Sequence, residues 1–175
     1  MRRITRLAVA VAAMTAAIVF TPAPASASLT LVSCAGTTTL EHDPGLTNTV
    51  ATVHQSGYES ASCVSLLQPL TPLSFTAEFE GDITASCNTL FAPGSGTETF
   101  EWNTNETSVW SWTIISATSG NGTLLSVVAG PIITGKFAGT NVTQVAAFPN
   151  TDLEACANPG GMTLTNGFAT WQFTS

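Results

Sequence analysis

The sequence predicts an all-β protein, an antiparallel β-sandwich of immunoglobulin-like or jelly-roll-like type with about ten short strands and two disulfides. Three observations lead there. From residue 28 onward the chain holds 26 Thr and 15 Ser, and Gly or Pro interrupts it about every 8 to 12 residues, the composition of many short strands joined by turns. Apolar residues recur at every second position and nowhere sustain the i, i+3, i+4, i+7 spacing of a helix. Four cysteines, Cys34, Cys63, Cys87 and Cys156, are the count expected of a disulfide-stapled exported domain.

The N-terminal end reads separately. Arg2, Arg3 and Arg6 are three of the four basic residues, Leu7 to Phe20 is an apolar run of fourteen, and residues 21–27 end in Ala-Ser-Ala. This is the layout of a secretory signal peptide, so residues 1–27 are read as the signal and 28–175 as a single secreted, extracellular domain. A run of fourteen is short of the ~20 apolar residues that span a bilayer. Lipidation of Cys34 would leave an odd cysteine, so no membrane insertion is expected. After cleavage, 148 residues carry all eleven Asp and Glu with Lys136 as the single base, a net charge of −10. Nucleic acid and anionic lipid are thereby excluded as partners, because both need basic patches. A chain of that size can bury one core of its own.

The strands follow in order. Leu73 to Ile83 places Phe75, Ala77 and Phe79 on one face and Glu78, Glu80 and Asp82 on the other, a core side and a water side. Phe100 and Trp102, then Trp110, Trp112 and Ile114, flank the polar hairpin loop Asn103 to Ser108. Leu124 to Val128 follows Gly120-Asn121-Gly122, Ile132 to Phe137 follows Gly130-Pro131, and Val142 to Phe148 follows Gly139. Met162 to Thr165 and Phe168 to Thr174 flank Asn166-Gly167, the strongest short hairpin signal in the chain. No repeat, internal linker or second domain is present. Four cysteines allow three connectivities. The sequential one, Cys34 with Cys63 and Cys87 with Cys156, is expected, and without a C-x-x-C neither a zinc knuckle nor a redox pair is available.

Cys34-Ala-Gly36-Thr37, Pro44-Gly45-Leu46-Thr47-Asn48-Thr49, Cys63 and Ser86-Cys87 resemble a group of small secreted actinobacterial four-cysteine β-proteins. Trp102-Asn103, Thr107-Ser108, the spacing of Gly130, Gly135, Phe137 and Gly139, and Cys156 with Pro159-Gly160 extend the resemblance over nearly all of the exported chain. These motifs are cysteines, turn glycines and aromatics. The resemblance implies an exported two-disulfide β-protein of unassigned function and supplies no catalytic residue. A glycine is expected after Trp102-Asn103 in such proteins; Thr104-Asn105 stands there.

Each candidate chemistry has a plainer reading beside it. A serine hydrolase needs a histidine within reach of a serine and an acid. The two histidines, His42 in the turn-like Glu-His-Asp-Pro-Gly and His54 in a strand, read as surface residues, and no G-x-S-x-G elbow accompanies them. Glu78, Glu80 and Asp82 could serve a glycosidase or hold calcium. Acids two apart on one strand, however, point the same way, whereas a glycosidase pair faces the sugar from two sides and calcium takes six to eight oxygens. They read as a solvated face. Trp102, Trp110, Trp112 and Trp171 could form a sugar-stacking platform, but Trp102 shares a face with Phe100 and Trp110 and Trp112 share one with Ile114, the phase of a core; Tyr58 and any Trp whose neighbours on its face are polar are the surface candidates. Lys136 alternates out of phase with Ile133, Gly135 and Phe137 and reads as solvent-facing, not as half of an isopeptide crosslink. The sequons at Asn105, Asn121 and Asn141 fit surface turns, and a protease-inhibitor loop would have to lie in Asn150 to Gly161.

The sequence thus points to a secreted, acidic, monomeric, non-catalytic binding or structural module with no cofactor and no metal site. A carbohydrate-binding module using exposed aromatics, with a polysaccharide or cell-surface ligand, is the alternative, and a secreted hydrolase or protease inhibitor stands third.

Overall fold

The computed structural model describes residues 29–66, 69–88, 94–120, 123–149 and 154–175; the expected signal peptide, residues 1–27, lies outside them. The chain is all-β, as composition and alternation require, but it is not a sandwich and it does not have ten strands. Eight strands, β1 (Thr30–Leu46), β2 (Ala51–Ser65), β3 (Leu73–Ala85), β4 (Ser95–Trp102), β5 (Thr107–Gly120), β6 (Thr123–Gly135), β7 (Asn141–Pro149) and β8 (Met162–Thr174), form a closed antiparallel barrel. Each strand pairs with the next, and β8 returns to pair with β1. Closure gives every strand a neighbour on both sides, which a sandwich cannot achieve, although β3 and β4 pair only from Phe75 with Trp102 to Glu78 with Thr99.

Two turn signals run through strands instead of ending them, which is why ten expected strands become eight. Gly130-Pro131 lies within β6, pairing with Val142 and Asn141 of β7. On its other side the β5–β6 register shifts between Val109, which pairs with Thr134, and Trp110, which pairs with Ile132. A bulge beside Pro131 suits a residue that has no N–H for a ladder. Asn166-Gly167 lies within β8, opposite Thr39 and Thr38 of β1. The Thr39 hydroxyl donates to Asn166 Oδ1 at 3.0 Å, and Phe148 fills the space beside Gly167, 2.7 Å from where a Cβ would stand. Tertiary packing uses the glycine as a slot and not as a turn.

The alternation that made the strands legible also sorts the two faces of the wall. Outward go Ser33, Thr37, Glu41, His54, Ser62, Glu78, Glu80 and Asp82, all exposed; inward go the aliphatic and aromatic residues of the core. Leu125, Val145 and Phe168 are exposed on the same outer wall. Among the described residues no helix is long and apolar enough to cross a membrane.

The interior is layered along the barrel axis. Its lower end, where β1 begins and β8 finishes, is packed with aromatics. Phe75 meets Phe100 at 4.5 Å and Trp171 at 5.2 Å between ring centroids, and Trp102 meets Phe173 at 5.7 Å. Phe137, in the β6–β7 turn with φ of 64°, lays its ring against Trp102 and Phe173 and plugs that end. A second small cluster, Leu46, Val53, Ala85, Cys156 and Met162, covers part of the upper end. The disulfides are the sequential pair. Cys34 and Cys63 face each other across β1 and β2, which leaves Cys34 no role as a lipid anchor. Cys87–Cys156 ties the segment after β3 to the short 3₁₀ turn Ala155–Ala157 before β8, holding the upper end together.

Candidate functional site

Between the aromatic floor and the upper cluster the barrel interior turns polar. Thr38 from β1, Glu59 from β2, Glu98 from β4, Ser126 from β6 and Gln144 from β7 all point inward and are buried. The period-2 alternation of each strand puts them there: Glu59 is in phase with Ala61 and Cys63, Glu98 with Phe100 and Trp102, and Gln144 with Val142 and Ala146. Closure of the barrel then brings Glu59 and Glu98, 3% and 5% exposed, into mutual hydrogen-bonding reach.

Two carboxyl groups out of water and beside each other cannot both ionise cheaply. Burial pushes Glu59 up to about 7, against the pull of the neighbouring polar groups of Glu98, Gln144, Thr38 and Trp171. Burial, and the Glu59 charge next to it, push Glu98 well above the ordinary carboxylate range. The pair therefore holds at least one proton at neutral pH. Gln144 Nε2 donates to Glu59 Oε1 at 2.6 Å and orients that carboxyl. The buried tryptophans below give a useful contrast. Trp102 donates its indole N–H to Ser108 Oγ at 2.8 Å and Trp110 to the Gly130 carbonyl at 3.1 Å, whereas Trp171 Nε1 closes no protein hydrogen bond and lies on the Glu59 side of the core.

A cavity of about 80 Å³ opens on this layer. Its apolar walls come from Leu40, Phe79, Trp110, Trp112, Val128 and Phe148, and three of its polar atoms, Glu59 Oε2, Glu98 Oε1 and Ser126 Oγ, have no protein partner. Buried polar atoms are nearly always satisfied, so three orphans facing one void mark a place for something else. Phe79, Trp112 and Ile114 line the upper part of the cavity and are only half-buried, so it communicates with solvent there. An apolar pocket with a few convergent polar groups is the usual form of a small-molecule site, and an eight-stranded barrel is just wide enough to hold one small ligand.

The residues singled out from sequence fall elsewhere. His42 is not in a turn and not on the surface: β1 continues through Leu46, and the histidine points inward, 3% exposed with both ring nitrogens unpartnered. Burial pushes it down to about 4, so it is neutral. His54 is on the outer wall, its Nδ1 3.0 Å from Asp82 and its Nε2 4.0 Å from Glu80. Only the Nδ1 contact is of hydrogen-bond length. Glu78, Glu80 and Asp82 are exposed on one side of β3, and among the described residues no group of three His, Cys, Asp or Glu is placed to hold a metal. Trp102, Trp110 and Trp171 are buried and Trp112 is half-buried, all inward; the exposed aromatics among the described residues are Tyr58 and Phe168. Lys136 is not a free strand residue but part of the β6–β7 turn, bonded to the Glu106 carboxylate and the Thr104 hydroxyl with its side chain 17% exposed. Asn105 occupies the position of an expected glycine with φ of 60°, a conformation Asn tolerates. Residues 121–122 and 150–153, parts of the Asn121 sequon and the inhibitor loop, lie outside the described residues.

Glu59, Glu98, Ser126 and Gln144 escaped the sequence reading although their phase was available. Extending the Phe100/Trp102 alternation two residues back reaches Glu98. No family model, no curated protein and no solved structure matches the chain.

Proposed function

We propose that the protein is a secreted, monomeric, non-catalytic binding module that holds one small molecule inside its barrel. The observation that carries this reading is the set of orphaned polar atoms, Glu59 Oε2, Glu98 Oε1 and Ser126 Oγ, facing a cavity with otherwise apolar and aromatic walls. Binding, and not chemistry, is favoured because neither histidine is among the residues that line the cavity, and His54 lies on the outer wall against Asp82. Two disulfides suit an oxidising extracellular compartment. A polysaccharide platform has less to stand on, since the tryptophans turn inward.

Trp110 and Trp112 line the cavity and supply the readout. Titration with benzylamine, benzyl alcohol and benzoate is expected to change tryptophan emission saturably for at least one of the three, and Ala146→Phe, which fills the cavity from β7, should abolish the change. A response that is absent for all three, or that survives Ala146→Phe unaltered, removes the interior as the site.

A further inference from the structure

We infer that the cavity selects a small primary amine in its ammonium form, the –NH3+ group sitting among Glu59, Glu98 and Ser126 and a short apolar body lying against Trp112 and Phe79. This rests on the reading of the barrel interior as a binding site and names the class of ligand it takes.

The polar atoms define the head group. Glu59 Oε2 and Glu98 Oε1 are acceptors when ionised, and Ser126 Oγ accepts as well as donates. Three strands thus bring three unpartnered oxygens to the lining of one void, and an ammonium offers three N–H donors to match. Gln144 Nε2, the amide donor of the layer, gives one of its N–H groups to Glu59 Oε1. An anion would meet carboxyl oxygens and no cation. A neutral alcohol has a single O–H and leaves acceptors unfilled.

Charge leads to the same class. No Lys or Arg lines the cavity, and Lys136, the single base after residue 6, is held by Glu106 in the β6–β7 turn at the lower end. A buried carboxylate without a cation is costly, so in the empty barrel the pair keeps its protons, and the countercharge that would let it ionise has to arrive with the ligand. When R–NH3+ enters, a proton leaves one carboxyl for solvent and the ammonium takes its place, so the site's charge balance is kept and no bond other than O–H is broken. Aromatic faces from Trp110, Trp112, Phe79 and Phe148 surround the position and favour a cation over a neutral group of equal size. The negative field of a chain with eleven acids and few bases draws cations toward it.

Size limits the substituent. A cavity of about 80 Å³ takes two or three water-sized groups at ~30 Å³ each, room for the –NH3+ and the carbon next to it. The rest of the ligand must lie toward the half-buried side chains of Phe79, Trp112 and Ile114. A quaternary ammonium is too bulky at nitrogen and has no N–H to give.

Isothermal titration of the disulfide-intact protein at pH 7.5 with benzylamine, benzyl alcohol, tetramethylammonium and calcium tests this. Benzylamine is expected to bind at least tenfold more tightly than benzyl alcohol, with a binding heat that depends on the ionisation heat of the buffer because a proton is released. Glu59→Gln and Glu98→Gln should each reduce that preference tenfold or more while leaving the far-ultraviolet spectrum unchanged. Equal affinity for amine and alcohol, a preference that survives both variants, or displacement of the amine by tetramethylammonium or calcium would overturn the ammonium assignment while leaving an interior site standing. Failure of both amine and alcohol to bind overturns the interior site itself, and the assignment with it.

Discussion

Phe79 occupies the side-chain space of Gly57. The two are register partners on β3 and β2, and a Cβ added to Gly57 would stand 2.1 Å from the outer edge of the Phe79 ring. Trp112 stands in the same relation to its partner Gly96 across β4 and β5, at 2.6 Å. Glycines inside the barrel thus make slots that let large rings lie beside the cavity without filling it.

Gly57→Ala is expected to push Phe79 off its site and destabilise the fold by ~1 to 3 kcal/mol, the usual cost of overpacking. Gly81, in the same strand pair but exposed with open space around it, provides the comparison: Gly81→Ala should be neutral or slightly stabilising. Urea unfolding of the two variants measures both. Equal losses would show that the Phe79 contact does not set the cost.

Stability should decline from pH 5 to pH 7. Glu59 and Glu98 hold protons in the folded state that the unfolded chain gives up above the ordinary glutamate value, so between about 4.5 and 7 the native state binds more protons and loses stability as pH rises. His42, pushed down to about 4 by burial, acts oppositely: below about 6.5 the unfolded chain takes a proton that the native state refuses, and stability falls as pH falls. Two carboxyls outweigh one imidazole, leaving a net decline across that interval. In the double variant Glu59→Gln/Glu98→Gln the slope should reverse, because the His42 contribution alone remains. Melting temperatures at pH 5 and pH 7 for both proteins check it, and parallel slopes would falsify the protonated pair.

Trp110 is 1% exposed and stacks on Phe100 at 5.6 Å. Trp110→Ala should cost ~3 to 5 kcal/mol, as deletion of a large buried aromatic does, whereas Tyr58→Ala on the outer wall, with Tyr58 46% exposed, should stay within ~0.5 kcal/mol of the parent. Thermal or denaturant unfolding distinguishes them. A Trp110→Ala variant as stable as the parent would contradict the packed aromatic floor.

The two disulfides close separations of 29 and 69 residues. In the chain-entropy account they restrict the unfolded state by about 3.5 and about 4.5 kcal/mol. Cys87→Ser/Cys156→Ser should therefore destabilise more than Cys34→Ser/Cys63→Ser, measured by guanidinium unfolding. The opposite order would mean that native packing around the β1–β2 bridge, and not loop closure, dominates.

Alternation in single strands was enough to read the all-β character, the inward phase of Phe75, Phe100, Trp102, Trp110 and Trp112 and the solvated acids of β3, because these depend on neighbours two residues apart. The sequential cysteine pairing, expected among the three that four cysteines allow, is the one that forms. His42 was misread because Asp-Pro-Gly after it is a turn signal that β1 overrides by pairing with β2 through Asp43. Asn166-Gly167 was misread because a glycine leaves the same mark in sequence whether it turns the chain or makes room for a ring such as Phe148.

The amino-acid sequence by itself determined an exported-type, acidic, all-β chain with its apolar and polar faces already sorted, because side-chain direction in a strand follows from the residue's own phase. Only the tertiary structure decided that the sheet closes into a barrel, since closure depends on the pairing of β1 with β8, more than a hundred residues away in the chain. That closure also made the candidate site. Glu59 and Glu98 sit on β2 and β4, separated by β3, and in a flat sheet each would face a partner sheet alone. The curvature of the barrel turns both side chains toward one axis, and there the two carboxyls share a void with Ser126 and Gln144 that no local pattern encodes.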